Sequence, residues 1–395
     1  MQGHIIDNRV GEPDTDFIPP HLRVGKLPES LHHLTEYGYS LDRRGIHASL
    51  EAIAHDFNFK NNSNITEANI VLTSGARAAA SSAILHVMTK YPGRKVLLIQ
   101  PGYNLYRTQF EGFGFTSEFV SFIGVDDTEK RLELLRASLS DEVLFLPLCN
   151  PNNPTGEIYS EEFLRGILRL LHEFPNLHVI NDSIYDRVVR DSTIHPPNIF
   201  ALANAKERKR VFEVNALSKF YSYPAIRAGW LISDPEEVAK IQEVKDAQFG
   251  PLNNIGQLLL IAALEMTTKL IPDYFEQVNQ VYNARLRLVH EKLQQIKGFK
   301  STIPAGAFYY WADFSGLKVD VKEMVEALTN KNIFLSWGGK FGAPNCIRIN
   351  GGAKAKDLAV ICDSIVEFCR DKGVTVNEKN ISVPLIADDL PAFAK

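Results

Sequence analysis

Asn215-Ala216-Leu217-Ser218-Lys219-Phe220-Tyr221-Ser222-Tyr223-Pro224-Ala225-Ile226-Arg227-Ala228-Gly229-Trp230 is the segment around which this chain reads. The apolar run from Val211 to Leu217 predicts a buried strand that delivers Lys219 to its end. Arg227 follows in a Gly- and Pro-punctuated loop, and a second apolar run begins at Trp230. A lysine at the mouth of a core strand is desolvated, which lowers its pKa and makes its amine a nucleophile for carbonyl carbon. Taken alone, a Ser-Lys pair is most simply a solvated lysine at a strand end. The neighbouring strands decide between the two.

Each of those strands ends on a chemically loaded string. Leu177 to Asn181 reads as a strand leading into Asp182-Ser183-Ile184-Tyr185. An aspartate there is either a helix cap or a buried carboxylate that needs a partner. Val143 to Cys149 reads as a strand running into Asn150-Pro151-Asn152-Asn153-Pro154-Thr155-Gly156, where two Asn-Pro pairs demand a fixed, non-helical loop. Lys95 to Gln100 ends at Pro101-Gly102-Tyr103-Asn104-Leu105-Tyr106. Ile70-Val71-Leu72, then Thr73-Ser74-Gly75-Ala76-Arg77-Ala78-Ala79, reads as strand, glycine turn and helix, a setting that suits a phosphate. It is not GxGxxG, so a dinucleotide fingerprint is unsupported. Strand and helix alternate between these strings, with helical spacing over Leu50 to Phe57 and Glu161 to Phe174. That alternation predicts a mainly parallel sheet covered on both faces, whose ligands sit outside the carboxyl ends of its strands.

The lysine segment resembles that of the class I/II aminotransferases, the fold-type-I pyridoxal phosphate enzymes. Their pattern is Ser-x-Ser-Lys, an aromatic two residues on, then Gly-x-Arg-x-Gly. Ser218, Lys219, Tyr221, Arg227 and Gly229 match it, while Ala216 replaces the first Ser and Ala225 the first Gly. The loop Asn150 to Gly156 matches the family's Asn-Pro-x-Asn-Pro-Thr-Gly without departure. The resemblance implies a Schiff base between Lys219 and pyridoxal phosphate. It implies that Asp182 faces the ring nitrogen, that Asn153 and Tyr185 reach the phenolic oxygen, and that Tyr103 stacks on the ring. Gly75, Ala76, Arg77, Ser218 and Arg227 would then surround the phosphate, with Ala216 removing one phosphate contact.

The same resemblance extends to both ends of the chain. Val10-Gly11-Glu12-Pro13-Asp14 is similar to a family turn whose glycine lies against the substrate carboxylate. Tyr39, ahead of Arg43-Arg44-Gly45-Ile46, matches a tyrosine that reaches the neighbouring subunit's phosphate. Phe249 to Gln257 resembles the entry to an interdomain helix, and Tyr274 to Ile296 reads as a long helix. Pro304-Ala305-Gly306-Ala307-Phe308-Tyr309 resembles a family strand entry. Cys346-Ile347-Arg348-Ile349-Asn350 reads as a strand between helices over Val321 to Thr329 and Lys354 to Arg370. Arg348 falls where the family binds the substrate carboxylate, a task suited to a guanidinium fork.

Composition is consistent with this. The 395 residues are 45% hydrophobic, enough for a large domain and a smaller one. The 43 basic and 47 acidic residues leave a net charge of -4 without blocks of like charge, which argues against nucleic-acid and membrane-surface partners. Four scattered cysteines make neither a disulfide framework nor a zinc site, and a cytoplasmic, reducing setting is expected. No signal peptide is apparent in Met1-Gln2-Gly3-His4, and no apolar run is long enough to span a bilayer.

The expected architecture is an α/β fold with a seven-stranded-type, mainly parallel sheet sandwiched by helices and a smaller α+β C-terminal domain. Its divisions are an N-terminal segment (1–45), a large domain (46–280), a small domain (281–373) and an unassigned tail (374–395). The resemblance implies an aminotransferase acting on an L-amino acid and a 2-oxo acid, as a homodimer with shared active sites. The alternative is another pyridoxal phosphate reaction on the same scaffold: elimination, decarboxylation or cyclisation. Arg43, Arg44, Trp337 and Lys340 are candidates for a side-chain pocket, the charged ones favouring an acidic substrate.

Overall fold

A computed structural model describes residues 5–9, 11–23, 43–191, 193–377 and 391. Tyr39 lies outside the described residues. The strands, in chain order, are β1 (Ile6–Asp7), β2 (Ile70–Thr73), β3 (Lys95–Gln100), β4 (Thr116–Ser121), β5 (Val143–Cys149), β6 (His178–Asp182), β7 (Val211–Ala216), β8 (Gly229–Ile232), β9 (Tyr309–Asp313), β10 (Ile333–Phe334), β11 (Ser336–Trp337) and β12 (Cys346–Asn350).

Seven of them form one sheet in the spatial order β2-β8-β7-β6-β5-β3-β4. Every residue of β5, β6 and β7 is buried, as strands covered on both faces must be, and the polar His178, Asn181, Asp182, Glu213 and Asn215 of β6 and β7 are buried with the rest. Successive residues point to opposite layers. Ile180 and Val214 pack with Ala79 and Ala83 of the helix Ala76–Met88 and Ile241 of the helix Pro235–Phe249. Val179 and Val211 pack in the other layer, with Phe57 of the helix His47–Asn61, Ile167 of the helix Glu161–Glu173 and Leu258 of the helix Asn254–Ile261. The pairings among β3, β4, β5, β6 and β7 are parallel, but β8 runs antiparallel to both β7 and β2. The chain between β7 and β8 has no crossover helix, so it can only return alongside itself. The Lys219–Arg227 loop is that return.

A second apolar cluster gathers Ile347 and Ile349 of β12, Tyr310 of β9, Met324 of the helix Val321–Asn330 and Ile361 of the helix Ala355–Asp371. Its sheet is antiparallel, in the order β11-β12-β9. The helix Tyr274–Leu293 contributes Leu286, Val289 and Leu293 to it, and Val278 to the large cluster. The helix ends at Leu293, three residues short of Ile296, with Gln294 capping it. β1 pairs in parallel with β10, and Ile6 enters the second cluster. Further along the N-terminal segment, Gly11 meets Lys219 in the loop after β7. Among the described residues no single helix is long and apolar enough to cross a membrane.

Candidate active site

β5 and β6 end level with one another, Cys149 pairing with Asp182, and β7 pairs Val214 with Asp182 and runs two residues further, to Ala216. Their loops, with the turn after β2 and the loop after β3, enclose a cleft of about 180 Å³. Nine predicted residues line it: Ala76, Arg77, Tyr103, Asn153, Asp182, Tyr185, Ser218, Lys219 and Arg227. Residues as far apart in the sequence as Ala76 and Arg227 thus share one small space.

Lys219 is the lysine of this cleft. Its Nζ donates to the Gly11 carbonyl oxygen at 2.6 Å. Burial pushes its pKa down to about 8, helped by Arg348 and Arg227 and opposed by Glu12 and Asp182. Asp182 is buried at the end of β6, where desolvation pushes its carboxyl up to about 6. Its Oδ2 accepts from the Tyr106 hydroxyl at 2.8 Å and its Oδ1 from the Ile184 N–H at 3.2 Å, and both bonds oppose that rise. Among the described residues the Asp182 carboxylate has no ion pair.

The opposite end of the cleft is cationic. Arg227 has φ +57° and folds its guanidinium back over the turn, donating to Pro224 O at 2.9 Å and Ser74 O at 3.3 Å, with Ser218 Oγ at 3.5 Å. Gly75, at φ +94°, opens the helix Ala76–Met88, and a Cβ there would stand 2.5 Å from Arg227 Nη2. A Cβ at Gly229 would stand 2.7 Å from Gly75 Cα. Both glycines are therefore required for the turn and the arginine to meet. Arg77 lies close enough to depress the pKa of Arg227, second only to burial. Ala216 offers no hydroxyl here, and its N–H is taken by Asn215 Oδ1 at 2.8 Å.

Arg348 reaches the same region from β12. Its Nη1 donates to Asn153 Oδ1 at 3.0 Å and its Nη2 to Arg9 O at 2.8 Å, while its buried Nε has no partner among the described residues. The Asn153 amide nitrogen faces the Tyr185 hydroxyl at 3.5 Å. Gly11 meets the site through its carbonyl, which accepts from Lys219 and also from the Tyr309 hydroxyl at 3.2 Å.

Two residues at the centre escaped the sequence reading. Tyr106 holds Asp182, and Tyr309 touches Tyr185 through the two hydroxyls at 2.8 Å. Both were in view only as parts of strings, and nothing local marks their contacts. Among the side-chain candidates, Arg43 and Arg44 line a separate surface recess with Gln242 and Asp246. Trp337 spends its Nε1–H on Pro344 O. Lys340 lines a gap beyond Tyr103, apart from the lysine cleft.

Fold and cleft together place a buried lysine, a buried carboxylate and two arginines around one small space at the strand ends. Residues 10–365 match the sequence pattern of the family described as Aminotransferase class I and II, and the chain belongs to that family. An aspartate aminotransferase of Thermotoga maritima is 27% identical over 369 residues, covering 93% of this chain and 92% of its own. A probable aspartate/prephenate aminotransferase of Aquifex aeolicus is 28% identical over 353 residues, covering 88% and 86%. The crystal structure of the Thermotoga maritima enzyme superposes with a TM-score of 0.79 over 93% of this chain and 92% of that one. The protein is an aminotransferase.

Proposed function

We propose that the cleft binds pyridoxal 5′-phosphate and uses it to move an amino group between an L-amino acid and a 2-oxo acid. The observation that carries this reading is the polarity of the cleft. A buried, unpaired carboxylate stands at one end, two guanidiniums and a helix start stand at the other, and a depressed-pKa lysine lies between. That arrangement fits a protonated ring nitrogen, a phosphate and an aldehyde. When bound, pyridoxal phosphate supplies the carbonyl carbon and a ring that takes up electrons from the substrate's Cα.

The chain's own residues do the rest. Asp182 holds a proton at the ring nitrogen, with Tyr106 fixing its carboxylate. Tyr103 covers a ring face, and Tyr185 and Asn153 donate to the phenolic oxygen. Arg227, Arg77, Ser218 and the N–H groups after Gly75 hold the phosphate. Arg348 takes the substrate carboxylate with its fork, exchanging Asn153 or Arg9 for it. Lys219 Nζ, freed, would carry the proton from the substrate's Cα to the cofactor's former aldehyde carbon, two atoms further on. Burial of Lys219 keeps that amine close to half deprotonated near pH 8, so proton removal is favoured as pH rises toward that value. A homodimer belongs to this reading: Ser74 and Arg77 are exposed in the single chain, leaving the phosphate end open on the side a second chain would cover.

The test is a stoichiometric half-reaction. Cofactor-loaded protein is mixed with single amino acids in the absence of any oxo acid. One equivalent of the matching 2-oxo acid per site is expected, then no more. An eliminated, decarboxylated or cyclised product would overturn transamination.

The phosphate end gives a separate expectation. Gly75→Ala drives a methyl against Arg227 Nη2 and strains a positive-φ position. Cofactor dissociation should rise about tenfold or more, equivalent to about 1.4 kcal/mol. Equilibrium dialysis followed by cofactor absorbance measures it, and an unchanged dissociation constant would remove Arg227 from the phosphate.

A further inference from the structure

Tyr309 links two sides of the cleft through its hydroxyl and its ring. Its hydroxyl meets the Tyr185 hydroxyl at 2.8 Å and the Gly11 carbonyl at 3.2 Å. That same carbonyl accepts from Lys219 Nζ at 2.6 Å. The face of its ring lies 4.5 Å under the Arg348 guanidinium carbon, and its ring stands edge-to-face with Tyr185 at 5.5 Å. Arg348 in turn holds Asn153, whose amide faces Tyr185. The contacts close a loop: Lys219, Gly11, Tyr309, Tyr185, Asn153, Arg348, and back to Tyr309.

We infer that Tyr309 is a positioning residue that sets how strongly Tyr185 donates into the cleft. A phenol has one proton and can give it to one acceptor at a time. The Gly11 carbonyl can only accept, so the Tyr309 proton goes to it, and the Tyr309 oxygen is left as an acceptor for the Tyr185 proton. A hydroxyl that donates one hydrogen bond accepts another more strongly, because the chain of dipoles polarises. Tyr309 then competes with any other oxygen for the single Tyr185 proton. Arg348, stacked on the Tyr309 ring, holds that ring in place and favours a ring rich in electrons. The groups that face Tyr309 are Arg348, Tyr185, Cys149 and Asp182, and burial holds its hydroxyl protonated. Gly11 is itself fixed by the fit, since a Cβ at that position would come within 2.3 Å of the Tyr309 hydroxyl oxygen.

This role rests on the cofactor reading above, in which Tyr185 donates to the phenolic oxygen of pyridoxal phosphate. That donation stabilises the deprotonated form of the lysine-bound cofactor, so weakening it raises the pH at which the bound cofactor's absorbance titrates. Tyr309→Phe removes the hydroxyl and keeps the ring under Arg348. Its titration should move downward by roughly half a unit to one unit, the size one hydrogen bond supports, because Tyr185 then keeps its proton for the phenolic oxygen. Tyr185→Phe should move it upward.

The deciding variant carries both substitutions. If Tyr309 acts through Tyr185, adding Tyr309→Phe to Tyr185→Phe shifts the titration no further. An equal further shift in the double variant would overturn the role, as would a wild-type titration that Tyr309→Phe leaves unmoved. A merely structural tyrosine would instead lower the thermal midpoint and leave the titration in place, which the same samples report. Wild-type protein that shows no cofactor absorbance at all would overturn the cofactor reading itself, and this role along with it.

Discussion

Lys219→Ala is expected to lower 2-oxo acid formation by more than roughly 10⁴-fold, because it removes both the nucleophile and the proton carrier. No other lysine lines the cleft among the described residues. Nearby cations cannot substitute: Arg348 and Arg227 are guanidiniums, which stay charged and accept no proton. The fold should survive. The amine is already disfavoured as a charge, with its pKa held at about 8 by burial against an ordinary 10.5. Between those values the native state binds fewer protons than the unfolded chain, so stability rises with pH through that window. Below it, the buried ammonium is a burden that alanine relieves. Turnover is measured at saturating donor, and the denaturation midpoint is compared at pH 7. Activity within tenfold of wild type would dismiss Lys219 as the reacting group. A large fall in the midpoint would instead make it a structural lysine.

The lysine was legible because the chemistry demands a local string. Ser218, Lys219, Arg227 and Gly229 serve one loop, and the loop's geometry restricts which residues can stand at each place. The same holds for Asn150 to Gly156, where backbone-restricting residues cluster. Strand positions were legible for a different reason. β3 and β5 are buried on both faces, so an apolar run of the right length marks them almost to the residue, whereas β7 carries Glu213 and Asn215 within its buried span. Direction was not legible. An apolar run has no sense, and β8 reads like its parallel neighbours although it runs against them.

Partnership was the least readable property. Tyr106 meets Asp182 across 76 residues, and Tyr309 meets Tyr185 across 124. The chain has 13 tyrosines, and neither of these two is singled out by its neighbours in sequence. The Arg43 and Arg44 expectation misses the cleft for a related reason. Closeness to a recognised string is not closeness in space: both arginines lie at the start of the helix His47–Asn61, where Arg44 O accepts from Leu72 N and Arg43 O from Lys245 Nζ.

Asp182→Asn should lower turnover by roughly 10²–10⁴-fold, the range for removing a charge placed at a reacting centre. The physical argument is a conflict between stability and function. Burial raises the Asp182 carboxyl from 3.8 to about 6, against the opposing pull of its hydrogen bonds and of Lys219. The native state therefore binds more protons than the unfolded chain between those values, so stability falls as pH rises through that window. Above pH 6 the full penalty is present, up to about 3 kcal/mol. Asparagine carries no such penalty. It has one oxygen for two donors, Tyr106 and Ile184, and leaving one of them unmatched costs about 1–3 kcal/mol. Cofactor-free Asp182→Asn should thus be no less stable than wild type at pH 7.5, and relatively less stable at pH 4.5, where the wild-type carboxyl is protonated and neutral. Adding pyridoxal phosphate should reverse the order at pH 7.5, because a protonated ring nitrogen stabilises the carboxylate and has little to gain from an amide. Denaturation midpoints at the two pH values, with and without cofactor, measure all four cases. A wild type that gains no more than the variant from the cofactor would separate Asp182 from the ring nitrogen, and its burial would then need another cause.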